Sequence, residues 1–276
     1  MNRYSIIALF AFLILINGCK EKDIIIPEVD VQPTDKIVLV EEFTGVGCPN
    51  CPDAATLLEN EVAKYEGSII PVAIHSSALA SPRSNSKYDF RSAFADELEQ
   101  YLGELFSKPA AAVNRIPVQS NNNPFATDVN DWPPLIAQEL QHEPELNISV
   151  DKAYDPGSRI LDFTIRYIPR TDLNIPLRLN AWILESHIID SQDDSGGNIP
   201  DYEHNHVLRD IVTPVEGEPL GDSFTGAEVY KKTFSYTIPP EDGWWVAEHC
   251  NLVVFINEVT TNSKRVLQAH EVHVVD

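Results

Sequence analysis

Phe43-Thr44-Gly45-Val46-Gly47-Cys48-Pro49-Asn50-Cys51-Pro52 decides how the rest of the chain is read. Before it, Lys36–Phe43 is a β-branched apolar run with the character of a buried strand. After it, Asp53–Tyr65 spaces its apolar residues as one face of a helix. Ser68–His75 is a second buried-type strand, so the three make a βαβ unit with a C-x-x-C at its first strand-to-helix junction. Two sulfurs on one helical turn come within disulfide distance. The helix N-terminus, through its unpaired N–H groups and its dipole, favours a thiolate on the first of them. Lowering a thiol pKa from ~8.5 to ~7 is worth about 2 kcal/mol. On this reading Cys48 is the more exposed, attacking sulfur and Cys51 the resolving one. In an oxidising compartment the same pair equally fits a permanent structural disulfide.

Working outward, Tyr88–Phe106 reads as a second helical stretch and Asp131–Leu140 as a third, with Pro133 and Pro134 acceptable in a first turn. Beyond residue 144 the pattern is strands alone, near Leu146–Tyr154, Arg159–Ile168, Pro176–Ile188, His204–Thr213, Glu228–Ile238, Asn251–Thr260 and Arg265–Val275. Leu161, Phe163, Ile165 and Tyr167 alternate with Asp162, Thr164 and Arg166, which puts one face in a core and the other in water. The expected organisation is therefore an α/β domain over residues 36–143, followed over 144–276 by an antiparallel β-sandwich of immunoglobulin or fibronectin type.

The N-terminus carries Arg3, an unbroken apolar run from Ile6 to Ile16, then Asn17, Gly18 and Cys19. That run is too short for an ordinary bilayer span and has the size of a signal-peptide core. Leu15-Ile16-Asn17-Gly18-Cys19 resembles a lipoprotein processing box, which implies cleavage after residue 18 and acylation of Cys19. Lys20-Glu21-Lys22-Asp23 resembles the export tag of Bacteroidetes surface lipoproteins, although a plain hydrophilic spacer looks the same. Residues 19–35 then form a lipidated tether with no hydrophobic period. The formal charge of −22 repels phosphate backbones and disfavours a nucleic-acid partner.

The first half resembles a thioredoxin fold beyond its two cysteines. Glu42, six residues before Cys48, stands where thioredoxins keep a buried acid that helps move the proton of the second cysteine. The resemblance therefore gives it a raised pKa and a proton-transfer role. The alternative is that Glu42 or Glu41 simply faces water. Ser107-Lys108-Pro109-Ala110-Ala111-Ala112-Val113-Asn114-Arg115 resembles the segment bearing the cis-proline loop, which implies that Pro109 lies against the disulfide and holds a partner chain. Otherwise Pro109 only ends the preceding helix. Gly47 replaces the usual aromatic residue before the first cysteine, and Pro49-Asn50 replaces Gly-Pro.

Lipoprotein signal, E-E-F-T-G-x-x-C-x-x-C-P, K-P-A-A-A-V-N-R and a strand-rich half containing Tyr202-Glu203-His204-Asn205-His206-Val207-Leu208-Arg209 together resemble the Omp-twenty-eight-related outer membrane lipoproteins of Bacteroidetes. The resemblance implies the two-domain layout and an outer-membrane address, at the cell surface or on the periplasmic side, but brings no established reaction. The expected function is the first of the following two, with the second as its alternative. One is thiol–disulfide exchange with protein thiols or disulfides through Cys48 and Cys51, aided by Glu42 and Pro109. The other is a surface-exposed binding or structural module whose C-x-x-C is only a structural disulfide and whose sandwich meets a surface ligand. No cofactor and no metal is expected. His204 and His206, alternating on one strand face, could ligate a metal with Asp201 or Glu203, but H-x-H alone is a common accident. His75 would be a third ligand only if the chain resembled the copper-delivery proteins, whose cysteine spacing differs. Asp190, Asp193, Asp194, Gly196 and Gly197 lack EF-hand spacing and read as a solvated hairpin. Cys250 reads as a small buried hydrophobe.

Overall fold

The computed structural model describes residues 35–240 and 244–276; the expected signal segment, Cys19 and nearly all of the tether lie outside the described residues. The fold is mixed α/β, with few helices and most of the chain in strands arranged in several sheets.

The strand read from Lys36–Phe43 is β1 (Val38–Thr44), and every one of its residues is buried. A strand covered on both faces alternates which core it feeds. Val38 and Val40 pack against Ala54 and Leu58 of α1 (Cys51–Lys64) and against Trp132 and Ile136. Leu39 and Phe43 pack on the opposite side against Ala95, Leu98 and Leu102 of α2 (Ala93–Leu102). By the same alternation Glu42 points to the α1 side and Glu41 to the α2 side. β2 (Ile69–His75) pairs parallel to β1 in full register, from Val38 opposite Ile69 to Thr44 opposite His75. β3 (Ala110–Val113) lies antiparallel on the other side of β1, with Phe43 opposite Ala110, and β4 (Phe125–Ala126) follows it. α3 (Trp132–Glu139) closes this half.

The second helical stretch is shorter than the sequence suggests. Ser92 caps α2 by accepting the Ala95 N–H at 3.2 Å, and Gly103 follows its last residue. The flanking residues 88–92 instead run beside a hairpin described below.

The change of element type falls where expected, between α3 and β5 (Leu146–Asp155). Next come β6 (Ile160–Pro169), β7 (Leu177–Glu185), β8 (Ile188–Asp194), β9 (Gly197–His204), β10 (Val207–Ile211), β11 (Glu218–Gly221), β12 (Tyr230–Thr237), β13 (Cys250–Glu258) and β14 (Val266–His273). Two expected strands were drawn too long. Pro176–Ile188 stops at Glu185, and His204–Thr213 starts at Val207, because His187 and His206 both take left-handed backbone (φ 61 and 54) that breaks a ladder. The two turns are tied together, His187 N–H to Asn205 Oδ1 and His206 N–H to Ser186 Oγ, each 3.0 Å.

The main sheet runs β14-β13-β7-β10-β2-β1-β3-β4, with β11 added to β7. β10 joins β2 through Val207 opposite Ala73, so one sheet passes from the first half into the second. One core does the same: Trp182, Leu184, Val253 and Phe255 share a cluster with Leu39, Phe43 and α2. The other face of β7 and β13 packs Leu179, Ile183, Leu252 and Val254 against Ile148, Leu161, Phe163 and Ile165 of the three-stranded sheet β12-β6-β5. No helix among the described residues is long and apolar enough to cross a membrane.

Candidate functional site

Chain leaving β1 at Thr44 turns through Gly45-Val46-Gly47 before α1 begins at Cys51. Cys48 and Cys51 form a disulfide with S–S 2.09 Å and Cα–Cα 5.4 Å. Pro52 suits the first helical turn because the N–H it lacks would have no partner there, and Asp53 complements the dipole.

The expected exposure of Cys48 is not found: Cys48 is 0% and Cys51 2% exposed, while Pro49 and Asn50 between them face water. The cover is the hairpin β8–β9. Gln192 Nε2 donates to the carbonyls of Gly45 (3.2 Å) and Cys48 (3.1 Å). The Asp193 N–H donates to Val46 O at 2.8 Å, and Arg83 Nη2 donates to Gly47 O at 3.2 Å. Every carbonyl from Gly45 to Cys48 is thus held by the hairpin or by the segment beside it. The hairpin is itself fixed. Asp190 accepts the N–H groups of Lys87 (2.8 Å) and Tyr88 (3.0 Å), Ser86 and Ser191 hydroxyls meet at 2.9 Å, and Arg83 Nη2 lies 2.5 Å from Asp193 Oδ2. The acidic stretch read as a solvated hairpin is a hairpin, but Asp190, Ser191 and Gln192 are buried.

Neither Glu41 nor Glu42 faces water. Their fates differ. Glu41 receives Arg115 in a bidentate pair, Nε to Oε2 at 2.8 Å and Nη2 to Oε1 at 2.7 Å. Glu42 Oε1 has no hydrogen-bond partner, and burial, with a smaller push from the charge of Glu59, raises the carboxyl to about 8. It is therefore largely protonated at neutral pH.

Glu42 lines a cavity of about 50 Å³ between α1, the sheet and the β9–β10 turn, together with Cys51, His75, Tyr202, His204 and His206. Both ring nitrogens of His75, Nε2 of His204 and Nδ1 of His206 lack hydrogen-bond partners. Burial keeps these imidazoles neutral: His75 falls well below its usual value, and His204 and His206 fall to about 4. Phe90 wedges beside His75 and His204, with ring centroids at 4.7 and 4.6 Å. His204 and His206 do not share a strand face, since His204 ends β9 and His206 lies in the turn. Among the described residues, no three His, Cys, Asp or Glu side chains are placed to hold a metal ion.

Lys108–Pro109 is a cis peptide, and Pro109 is buried at the start of β3, beside the end of β1 from which the disulfide loop departs. Lys108 Nζ donates to the Ser76 carbonyl and, at 3.0 Å, to the Ser76 hydroxyl. Cys250 is buried and free, its Sγ 3.3 Å from Val246 O; burial, then the charge of Glu185, pushes the thiol up to about 12, as suits an inert small hydrophobe.

Sequence reasoning missed Arg83, Gln192 and the pairing of Glu41 with Arg115. Two adjacent glutamates in an otherwise apolar buried strand were the available signal, because a buried carboxylate calls for a cation.

Solved structures share the fold at low identity. HBP35 of Porphyromonas gingivalis matches with a TM-score of 0.67 at 15% identity, covering 88% of this chain and 76% of that one. A protein from Agrobacterium tumefaciens matches with a TM-score of 0.50 at 14% identity, covering 87% of this chain and 95% of that one. Among curated proteins, none matches. The family model described as outer membrane protein Omp28 matches residues 95–276. That match starts after Cys48 and Cys51 and spans well over half of the chain, which therefore belongs to the Omp28 outer membrane protein family.

Proposed function

We propose that the chain is an outer-membrane lipoprotein, held by lipid on Cys19, that presents a thioredoxin-like unit and a β-sandwich as a binding or structural module, its Cys48–Cys51 bond serving as a structural disulfide. The complete burial of Cys48 beneath Gln192 and Arg83 carries this reading. Exchange needs a thiolate to reach a disulfide sulfur in line, and access governs its rate. The family match over residues 95–276, which leaves the C-x-x-C outside, supports the same reading. In an insulin-reduction assay the protein should give no activity above a Cys48→Ser control. Turnover well above that control would overturn the proposal. Incorporation of labelled palmitate that Cys19→Ala abolishes would support the anchor, and unchanged incorporation would refute it.

Glu42 favours a second reading, thiol–disulfide exchange with a protein partner. An unpaired, protonated carboxyl in the cavity that Cys51 lines is costly for a mere scaffold and suits proton transfer to or from the second sulfur. In that case, once the hairpin lifts, a partner thiolate attacks Cys48 Sγ, the Cys48–Cys51 bond breaks and Glu42 protonates the departing Cys51 sulfur; a second partner thiolate then attacks the partner's own sulfur in the mixed disulfide and releases Cys48, so the partner leaves oxidised and the pair reduced, with the Pro109 segment receiving the partner chain.

A further inference from the structure

The hairpin that covers the disulfide is built as a separate piece. β8 and β9 form a two-stranded sheet of their own. His187 and His206, one at each end, take the left-handed backbone that parts this sheet from β7 and β10. Among the described residues, Ile188 is the hairpin's one side chain in a buried apolar cluster. Most of its grip on the disulfide loop and on residues 83–88 is polar, through Gln192, Asp190, Ser191 and the Arg83–Asp193 pair. An element with few apolar contacts opens locally at lower cost than a core strand.

Its far end rests on groups that acid disturbs. His204 closes β9 and packs against His75 at the end of β2, ring centroids 5.7 Å apart, with Phe90 against both. A proton added at His75 Nδ1 or Nε2, or at His204 Nε2, would find no partner. The facing groups do not welcome it. Lys108, ahead of β3, opposes a charge on His75, as does His204 itself. Glu42 of β1 is largely protonated, burial pushes the Tyr202 hydroxyl up to about 12, and His206 in the turn is a third buried neutral imidazole. Asp190 of β8 favours a charge on His204 by less than burial opposes it, and it already accepts the Lys87 and Tyr88 N–H groups. Glu59 of α1 and Glu203 of β9 stand at the exposed rim of the cavity. Two imidazolium rings 5.7 Å apart without water repel each other, whereas lifting the hairpin parts them and hydrates both.

We infer that β8–β9 is a hinged lid that opens in acid, as His75 and His204 take up protons, and so uncovers the Cys48–Cys51 bond. The closed form holds fewer protons than the open one, so closure is complete above the ordinary histidine range and is lost as pH falls from 6.5 toward 4. The lid sets access to the bond and not its use, so it stands apart from both functions above. Amide hydrogen exchange of the purified full chain, read by mass spectrometry and corrected for intrinsic rates, should be compared at pH 7 and pH 4. Protection over residues 188–204 should fall about tenfold or more at pH 4 while β1 and β13 keep theirs. His75→Phe, which removes no hydrogen bond, and His204→Gln, which keeps a polar tip, should each shrink that fall by about threefold or more. Exchange in β13 at pH 7 shows that each variant is folded, and the parent alone decides whether the lid opens. Hairpin protection that holds at pH 4, a fall of equal size in β13, or a fall undiminished in either variant overturns the proposal.

Discussion

Arg83 lies directly over Gly47, donating from Nη2 to the glycine carbonyl at 3.2 Å and meeting Asp193 Oδ2 at 2.5 Å, in the space a β-carbon at position 47 would fill. The glycine at this position thereby acquires a cause. An aromatic side chain there would push the guanidinium off both partners and lift the hairpin from the disulfide loop.

Gly47→Ala should therefore loosen the cover without unfolding the chain. The arginine tip is flexible and its ion pair is partly exposed, so the stability loss should be about 1 kcal/mol or less. Reduction of the Cys48–Cys51 bond by mild thiol should nevertheless become faster in the variant than in the parent. Identical reduction rates would show that the hairpin does not limit access.

Gln192→Ala removes the donor shared by Gly45 O and Cys48 O. Each carbonyl keeps one backbone donor, the Cys48 N–H on Gly45 O at 2.9 Å and the Cys51 N–H on Cys48 O at 3.2 Å, so only the amide's own hydrogen bonds are lost, and denaturant unfolding should show a loss of about 1 kcal/mol. A change below 0.5 kcal/mol, on the order expected for an ordinary surface site, would mean that water replaces the amide.

Glu42 sets a pH dependence. Its folded pKa of about 8 exceeds its unfolded value, so the folded state holds the proton more tightly. Its contribution is complete at low pH and is lost as pH rises from about 4.5 through 8. Glu42→Gln should flatten that decline and stabilise the protein by about 2–4 kcal/mol at pH 8 relative to its effect at pH 4.5. His204 and His206 act in the opposite sense, losing stability as pH falls from 6.5 toward 4. Denaturant titrations across that range should show Glu42→Gln changing only the alkaline limb. Parallel curves for parent and variant would mean that Glu42 is not buried and unpaired.

Glu41→Gln leaves Arg115 charged and buried without its partner. Breaking such a pair from one side costs about 3–5 kcal/mol. Thermal unfolding should therefore separate it sharply from its neighbour Glu42→Gln, although the two residues are adjacent in one strand.

Much of the first half was legible because its signals are local. The β-branched run of β1, the helical spacing after Pro52 and the C-x-x-C between them fix three elements and their order. The cover over the disulfide was not legible, since it depends on Gln192 and Arg83 reaching residues more than thirty positions away. Alternation located most second-half strands but ran β7 into β8 and β9 into β10, because nothing in the histidines at 187 and 206 announces left-handed backbone. Nor did acidic character reveal burial. Asp190 is satisfied by backbone N–H groups of Lys87 and Tyr88, which no pattern of side chains displays.

The central claim is that the Cys48–Cys51 bond is closed off within the folded chain. Its most direct measurement is mass-shift trapping of free thiols after mild reductant, in native buffer and in denaturant, with Cys19→Ser and Cys250→Ser so that Cys48 and Cys51 alone remain of the four cysteines. Burial predicts no added label in native buffer and two labels once the protein unfolds. Two labels acquired within minutes under native conditions would contradict it.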